Sequence, residues 1–224
     1  MNRIVFDIET LAFPLESFDA QQQEYLMRFA RTEEERVEAI QKLNLTPFTA
    51  QIIAIGMLNP DSQQGKVFYQ SPNPGSSLSE DGLVEFVSCP EQEMLQEFWK
   101  TVARYSQLIT FNGRSFDCPF LMLRSALHGI KPTRNLLPYR YNANEHCDLM
   151  EQFTFYGAFR KFSLDFYCKG FGIKSPKSNG ITGLDLRSLF EGGRHREIAE
   201  YCMGDVKATT ELFHRWQNFL AFEK

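Results

Sequence analysis

The sequence predicts an α/β fold in which a mixed β-sheet carries helices on both faces. Three strand-like runs occupy residues 4–8, 50–58 and 67–69, and a helical pattern precedes a further strand-like run at residues 108–111. Strands that follow one another through turns pair antiparallel, whereas a strand reached through a helix can pair parallel. An early meander followed by a helical crossover therefore favours a mixed sheet flanked by helices.

The stretch between the first two strands is predicted to be a helical insertion at about residues 15–48. Residues 19–43 contain no Gly or Pro and are rich in Gln, Glu, Arg and Ala, which favours helix. Thr32 and Glu35 have the spacing of a capping box. The insertion is therefore expected to form two helices that are broken near Arg31.

The remaining elements follow from local patterns. Residues 71–79 are rich in Ser, Pro and Gly and predict a surface loop, and residues 83–87 predict a short strand or a turn. Amphipathic spacing and a closing glycine predict helices at residues 91–105 and 116–128. The last third is expected to be mainly helical, with helices that begin at Asp148 and cover residues 164–170 and 196–222, and a loop at residues 170–183.

Size and composition limit the class of protein. The 224 residues are predicted to form a single domain, residues 1–224, that contains the helical insertion. No stretch approaches the roughly 20 apolar residues of a membrane span, and the charged first strand predicts that there is no signal peptide. Five cysteines without CxxC spacing argue against a disulfide framework or a zinc site. We therefore expect a cytoplasmic protein without membrane contact.

The charge is unevenly distributed along the chain. The net charge is −4, yet residues 114–177 carry ten basic and five acidic side chains, a net +5, which leaves −9 for the remainder. A basic segment in an acidic chain is what a carboxylate metal site beside a phosphate-binding track would produce. Chance clustering on a solvated surface is the alternative.

Two carboxylates, Asp7 and Glu9, interrupt the apolar first strand. Residues two apart on a strand face the same side, about 7 Å apart along it. Burying two like charges together is unfavourable, and a bound cation is the simplest compensation. The alternative is that the strand ends at Phe6 and that both acids begin a solvated loop. This stretch alone does not decide between a metal site and a loop.

Two more carboxylates stand out further along the chain. Asp117 follows a strand at the start of a helix, and alone it is explained as an ordinary helix cap. Asp205 lies on the core-facing stripe of the last helix, four residues after Tyr201, so that the phenol and the carboxylate share one face. A buried salt bridge or a hydrogen bond to Tyr201 is the alternative for Asp205.

Taken together, four carboxylates from distant segments indicate a site for hard divalent cations such as Mg²⁺ or Mn²⁺, since no His or Cys has metal-ligand spacing. Two such ions about 4 Å apart can clamp a phosphodiester for in-line displacement. Asp148 is a fifth acid in the same region, but its capping-box setting favours a structural role.

Three stretches resemble, in order and context, the motifs of the DEDD family of 3′–5′ exonucleases. They are Phe-Asp-Ile-Glu-Thr at residues 6–10, Phe-Asn-Gly-Arg-Ser-Phe-Asp at residues 111–117 and Tyr-Cys-Met-Gly-Asp at residues 201–205. The tyrosine four residues before the last aspartate is similar to the DEDDy subgroup, which includes the proofreading exonucleases of family B DNA polymerases. The resemblance implies a ribonuclease H-like fold, and, since no polymerase-sized segment follows, a stand-alone nuclease.

The resemblance also implies roles for the acidic residues and the tyrosine. Asp7, Glu9 and Asp205 would hold the first metal ion, and Asp7 would bridge to a second, which Asp117 would reach directly or through water. Tyr201 would orient the attacking water. A tyrosine with an ordinary pKa near 10 is a poor base at neutral pH, so Tyr201 is expected to position the water rather than deprotonate it.

The same resemblance suggests residues that contact the substrate. Thr10 and Asn112 would hydrogen bond to the terminal nucleotide, and Phe111 or Phe116 would stack near a base. Core packing is the alternative for the aromatic residues, and a solvated loop is the alternative for three lysines that could contact phosphates. These lysines are Lys169, Lys174 and Lys177.

The function that the resemblance implies is a metal-dependent 3′–5′ exonuclease. It would release nucleoside 5′-monophosphates from a single-stranded or frayed 3′ end, with DNA favoured over RNA. An exoribonuclease that uses the same residues is the first alternative. The sequence does not identify a residue that contacts a 2′-hydroxyl, and such a contact is what distinguishes RNA from DNA. A non-catalytic nucleic-acid-binding module is the second, but such a module has no need of converging carboxylates that repel phosphate.

Overall fold

A computed structural model describes residues 2–174, 180, 183 and 185–222. Within these residues, seven strands form one sheet in the order β4-β5-β3-β2-β1-β6-β7. The strands are β1 (Arg3–Ala12), β2 (Ala50–Leu58), β3 (Gly65–Tyr69), β4 (Gly75–Leu78), β5 (Val84–Ser88), β6 (Gln107–Thr110) and β7 (His146–Asp148).

The sheet is mixed, as the sequence predicts. β1, β2 and β3 form an antiparallel meander, while β6 pairs parallel to β1 and β7 pairs parallel to β6. Beyond the meander, β5 is parallel to β3, and β4 is antiparallel to β5 at the edge. The α/β class is therefore confirmed, and β1 lies inside the sheet between β2 and β6.

Eight α-helices occur in the described part of the chain, together with two short 3₁₀ turns at Leu15–Ser17 and Leu43–Leu45. None of them is long and apolar enough to span a membrane. The helices are α1 (Ala20–Met27), α2 (Glu33–Lys42), α3 (Glu91–Val102), α4 (Asp117–Leu127), α5 (Leu149–Phe153), α6 (Leu164–Gly170), α7 (Leu186–Glu191) and α8 (His195–Phe219).

Helices cover both faces of the sheet, and β1 alternates between the two cores. Val5 belongs to the core beneath α8, whereas Ile4, Phe6 and Ile8 belong to the core formed with α3 and α4. Because strand side chains alternate, Asp7 and Glu9 lie on the Val5 side, which α8 covers. The position of the acids in the strand therefore directs them towards the last helix.

Several local expectations are confirmed and others are wrong. β1 continues through both acids to Ala12, so the alternative of a strand that ends at Phe6 is wrong. The insertion forms two helices, and the capping box of Thr32 and Glu35 is present. The expected loop at residues 71–79 contains the edge strand β4, whose side chains are all exposed and so give no apolar alternation. β7 and α7, at three and six residues, were too short to be predicted from periodicity.

Candidate active site

The candidate site begins with the two acids of β1. Asp7 is half-buried and Glu9 is 8 % exposed, and one ligand atom from each lies within 4.8 Å of the other and of the Cys202 sulfur on α8. The register between β1 and β2 shifts between Glu9 and Thr10, which marks a β-bulge next to the acids. Bulges are frequent beside active sites because they redirect a side chain at the end of regular pairing.

Gly56 allows α8 to approach this strand closely. It pairs with Asp7 across β1 and β2, and a Cβ at this position would lie 2.9 Å from Val206 Cγ2 and 3.0 Å from Cys202 Sγ. The thiol of Cys202 donates to the backbone carbonyl of Asp7 at 3.6 Å. A glycine inside a strand is therefore what lets the last helix lie directly over the first carboxylate.

Tyr201 and Asp205 are carried by the same part of α8. They flank Cys202 and share a helix face because they are four residues apart. The hydroxyl of Tyr201 hydrogen bonds to the side chain of Asp205, which agrees with the structural alternative for this pair. Asp205 also acts on Asp7 and Glu9, since its charge raises the pKa of both groups.

Asp117 enters the cluster from the start of α4. Its Oδ1 accepts the backbone N–H of Ile8 at 3.1 Å, and both residues are buried. Strand pairing between β1 and β6 ends at Val5, so the N–H of Ile8 lies beyond the β6 ladder. The carboxylate thus reaches a strand rather than capping its own helix, whose N-cap is Phe116.

A tight turn places Asp117 at this point. Asn112 has a φ of 64°, and a Cβ on Gly113 would lie 2.5 Å from the Thr110 side chain, which accounts for the Asn-Gly pair. Asp148 fixes the turn from the neighbouring strand by accepting the backbone N–H groups of Asn112 at 3.0 Å and Arg114 at 2.9 Å. It also accepts the N–H of Met150, so the predicted structural role of Asp148 agrees with its contacts.

The electrostatics of the cluster are dominated by burial and mutual repulsion. Burial, followed by the charges of neighbouring carboxylates, raises the pKa of Asp7 and of Glu9 well above the usual range. Burial raises the pKa of Asp117 to about 7, against the hydrogen bond from Ile8. Burial and then Asp205 raise the pKa of Tyr201, so the phenol stays protonated. Oxygen donors that repel one another in a buried site match the ligand preference of a hard divalent cation.

A cleft of about 450 Å³ opens next to Glu9. One wall comes from β1 and Phe116, and the other comes from the end of the insertion, where Lys42 and Leu45 line the cleft. Asn44 fastens this second wall to β1, because its carbonyl accepts the Thr10 hydroxyl at 2.9 Å and its side chain accepts the N–H of Ala12.

A family model described as a predicted 3′–5′ exonuclease related to the exonuclease domain of PolB matches residues 48–221. The chain belongs to this family. The match begins after the insertion, so it includes Asp117, Tyr201 and Asp205. Asp7 and Glu9 lie upstream of the matched residues, on β1, which pairs with β2 and β6 of the matched part.

Two relatives of this chain are archaeal DNA polymerases. It is 24 % identical over 165 residues to DNA polymerase 1 of Sulfurisphaera ohwakuensis, and 24 % identical over 177 residues to DNA polymerase 1 of Sulfolobus acidocaldarius. These alignments cover 66 % and 72 % of the chain, and the chain spans about a fifth (19 %) of each polymerase. The family B DNA polymerase from Pyrobaculum calidifontis has a similar fold, with a TM-score of 0.64, 16 % identity, and coverage of 98 % of this chain and 25 % of that one.

Of the five predicted catalytic residues, Asp7 and Glu9 lie within 4.8 Å of one another, and Asp117, Tyr201 and Asp205 interact with them electrostatically. The predicted substrate contacts differ from one another. Thr10 is 7 % exposed and donates its hydroxyl to Asn44. Phe116 lines the cleft, and Asn112 lies in the turn before it. Lys177 lies outside the described residues. The other two predicted phosphate contacts are an exposed Lys174 and a Lys169 that pairs with Asp165 at 2.9 Å.

Sequence reasoning missed two groups of residues at the site. Gly56 could have been noticed, because a glycine within an apolar strand marks a close approach of another backbone or helix. The contribution of Asn44, Lys42 and Leu45 depends on how the insertion folds back onto β1, and no local pattern encodes that contact.

Proposed function

We propose that this chain is a metal-dependent 3′–5′ exonuclease that releases nucleoside 5′-monophosphates from a single-stranded or frayed 3′ end. The observation that carries the proposal is the reach of Asp117 to the N–H of Ile8, which sets its carboxylate beside the acids of β1. Membership of the PolB-related exonuclease family supports the reaction class.

The residues present fit two divalent cations, Mg²⁺ or Mn²⁺. Asp7, Glu9 and Asp205 would hold the first ion, and Asp7 together with Asp117 would hold the second. Bound ions of this kind supply a hydroxide nucleophile near neutral pH and neutralise the charge that develops on the leaving oxygen. The support for this assignment is the raised pKa of Asp7 and Glu9, because bound cations would offset the repulsion between these buried carboxylates.

Tyr201 orients the attacking water through its hydroxyl oxygen, because the hydroxyl proton is donated to Asp205. Since burial and Asp205 raise its pKa, the phenol remains a hydrogen-bond donor throughout the pH range in which proteins are stable. It therefore does not act as the general base. Its hydrogen bond to Asp205 fixes the direction of the phenol relative to the carboxylates.

The 3′-terminal nucleotide occupies the cleft beside Glu9. The volume of the cleft, about 450 Å³, is within the range of small-ligand pockets. Phe116 and the 59 % exposed Leu45 supply apolar surface for a base, while Lys42 in the same cleft is paired with Glu38 at 2.7 Å. Asn112 contacts the same nucleotide. Thr10 contacts it through its backbone or by accepting a hydrogen bond at its hydroxyl oxygen, because the hydroxyl proton is donated to the carbonyl of Asn44.

DNA is proposed as the substrate in preference to RNA, and an exoribonuclease is the second candidate. The preference for DNA is supported by the relatives, which are DNA polymerases by name. The mutually repelling carboxylates of Asp7, Glu9, Asp117 and Asp205 disfavour a purely binding role, since they would repel phosphate without a cation.

Degradation of matched DNA and RNA strands tests the proposal. Strands of one sequence carry a 5′ label, and the chain is incubated with Mg²⁺ or Mn²⁺. The proposal predicts a ladder that shortens from the 3′ end, faster for DNA, with nucleoside 5′-monophosphates as products. Faster decay of RNA would favour the second candidate, and internal cuts or nucleoside 3′-phosphates would contradict the proposal.

A further inference from the structure

An exposed aromatic surface lies on the segment between α5 and α6 and on α6 itself. We call it the aromatic platform and define it by Phe155, Phe159, Phe162 and Phe166. Three of these rings are largely in solvent, with exposed fractions of 59 % for Phe155, 67 % for Phe159 and 55 % for Phe166. A group of exposed rings on one segment is unusual for a surface without a binding role.

The backbone holds these rings outside the core. Phe155 and Tyr156 have φ angles of 48° and 59°, a region that bulky side chains rarely adopt. Hydrogen bonds maintain the bend, from Tyr156 N to Glu151 O at 2.7 Å and from Phe159 N to Thr154 O at 3.1 Å. Two consecutive residues in this unfavourable region, held by backbone bonds, indicate a turn built to present side chains rather than to bury them.

Basic side chains accompany the rings. Arg160 and Lys161 are exposed, and the Arg160 guanidinium lies 5.2 Å from the centroid of the Phe162 ring. Phe162 stacks on Phe166, with ring centroids 4.2 Å apart and an angle of 10° between the planes. Exposed rings beside exposed cations are the combination with which proteins bind single-stranded nucleic acids, because every base has a face that can stack.

The Phe162 end of the platform is continuous with the candidate active site. Phe162 contacts Tyr167 with ring centroids 6.0 Å apart, and Tyr167 contacts Phe111, which precedes the Asn112 turn, at 5.7 Å. The next residue on α6, Cys168, is buried, and the charge of Asp205 helps to raise its pKa. One side of α6 therefore meets α8, while its exposed Phe166 belongs to the platform.

From this geometry we infer that the aromatic platform binds the single strand upstream of the scissile phosphate. Bases would stack on the exposed rings while Arg160 and Lys161 contact the phosphates. The inference rests on the proposed exonuclease activity for the direction of the strand, but the binding itself is independent of hydrolysis. It commits to nucleic acid rather than to a protein partner because the exposed charges next to the rings, Arg160 and Lys161, are positive.

Strand binding without hydrolysis tests the inference. Affinity for a fluorescent single-stranded DNA is measured in EDTA for the wild-type chain, for Phe155→Ala combined with Phe159→Ala, and for Arg160→Gln. Phe219→Ala is the matched control, since Phe219 is 71 % exposed and lies beneath Arg215 at 5.5 Å, at the far end of α8. We expect the double variant to weaken binding on the order of ten-fold or more, Arg160→Gln to weaken it by a smaller factor, and the control to be unchanged.

A second readout separates binding from folding and from catalysis. With Mg²⁺, the double variant should raise the KM for a long strand but leave hydrolysis of the nitrophenyl ester of thymidine 5′-monophosphate unchanged, because that ester is too short to reach the platform. Strand affinity equal to wild type would overturn the inference, as would equal losses on the ester and the long strand. Strand binding without hydrolysis of any substrate would instead refute the proposed function and would leave the inference that the platform binds single strands unaffected.

Discussion

The carboxylate of Asp117 accepts the backbone N–H of Ile8, a residue 109 positions away, at 3.1 Å. This bond ties the start of α4 to the central strand where the ladder between β1 and β6 has ended. One oxygen of Asp117 thereby satisfies a strand N–H, while its charge stands beside Asp7 and raises the pKa of that group. The same side chain connects the architecture of the sheet to the proposed metal site.

The two roles of Asp117 can be separated by substitution. Asp117→Asn keeps an oxygen for the Ile8 N–H but removes the charge, so the fold should persist while metal-dependent activity falls about 100-fold or more. Asp117→Ala leaves a buried N–H without a partner, which should also lower the free energy of unfolding by about 1–3 kcal/mol. Urea unfolding and nucleotide release measure both effects. Equal stability of the two variants would contradict the structural role.

Divalent cations should stabilise the folded chain. A ligand that binds only the folded state adds about 2.7 kcal/mol at a hundred times its dissociation constant, which for a protein of this size raises Tm by roughly 5–10 °C. Asp7→Asn and Glu9→Gln should abolish this shift. Glu200→Gln is the control, since Glu200 is exposed on α8 beside Tyr201 and pairs with Arg196. A wild-type Tm that does not respond to Mg²⁺ or Mn²⁺ would argue against the metal site.

Loss of the Tyr201 hydroxyl should affect catalysis and not folding. Tyr201→Phe is expected to lower kcat by about ten-fold to a hundred-fold with little change in KM, because the phenol positions water rather than binding substrate. The pH–rate profile should keep its shape in the variant, since the raised pKa of Tyr201 keeps the phenol protonated. Disappearance of an alkaline limb in Tyr201→Phe would show instead that the phenol titrates during the reaction.

Gly56 should be intolerant of a methyl group. Gly56→Ala places a Cβ 2.9 Å from Val206 Cγ2 and 3.0 Å from Cys202 Sγ, which should displace α8 from Asp7 and cost about 1–3 kcal/mol of stability. Activity should fall further than stability, because Tyr201 and Asp205 move with the helix. Gly75→Ala is the control, since nothing lies within 4 Å of its added Cβ. Combining Gly56→Ala with Val206→Ala should recover activity, and failure to recover would point to a different cause.

His146 should make the fold sensitive to acid. It is buried between the Thr110 hydroxyl at 2.9 Å and the Leu136 carbonyl at 2.8 Å, and burial lowers its pKa from 6.5 to about 3. Between these two pKa values the unfolded chain binds a proton on His146 that the folded chain does not. The contribution of His146 to the free energy of unfolding is therefore complete above pH 6.5 and is lost as the pH falls towards 3. The loss should approach about 1.4 kcal/mol per pH unit, and His146→Gln should remove it. Identical pH slopes in urea unfolding would contradict the burial of a neutral imidazole.

The sequence predicted the parts of this molecule that local pattern encodes. The apolar run around Asp7 and Glu9 predicted a buried strand, and Thr32 with Glu35 predicted the second helix of the insertion, because strand alternation and capping depend on neighbouring residues. The helix-cap interpretation of Asp117 was equally local, and it does not describe the bond to Ile8, which depends on how strands and helices assemble.

Features that depend on distant contacts could not be predicted from pattern alone. β4 exists because its backbone pairs with β5, although its side chains are exposed and carry no apolar signal. The insertion wall beside Glu9 depends on Asn44 accepting bonds from Thr10 and Ala12, more than thirty residues earlier in the chain. In both cases the deciding interaction is a backbone or polar contact between segments, which leaves no periodicity in the sequence.

The most direct measurement of the central claim is degradation of a single strand from its 3′ end by the wild-type chain and by Asp7→Asn. Asp7 is the residue that both cations would share. It faces α8 at the point where Gly56, which has no Cβ, allows the helix to approach the sheet closely. We predict stepwise release of nucleoside 5′-monophosphates with Mg²⁺ or Mn²⁺, and a loss of about 100-fold or more in the variant or in EDTA. Release that continues unchanged in Asp7→Asn or in EDTA would contradict the account.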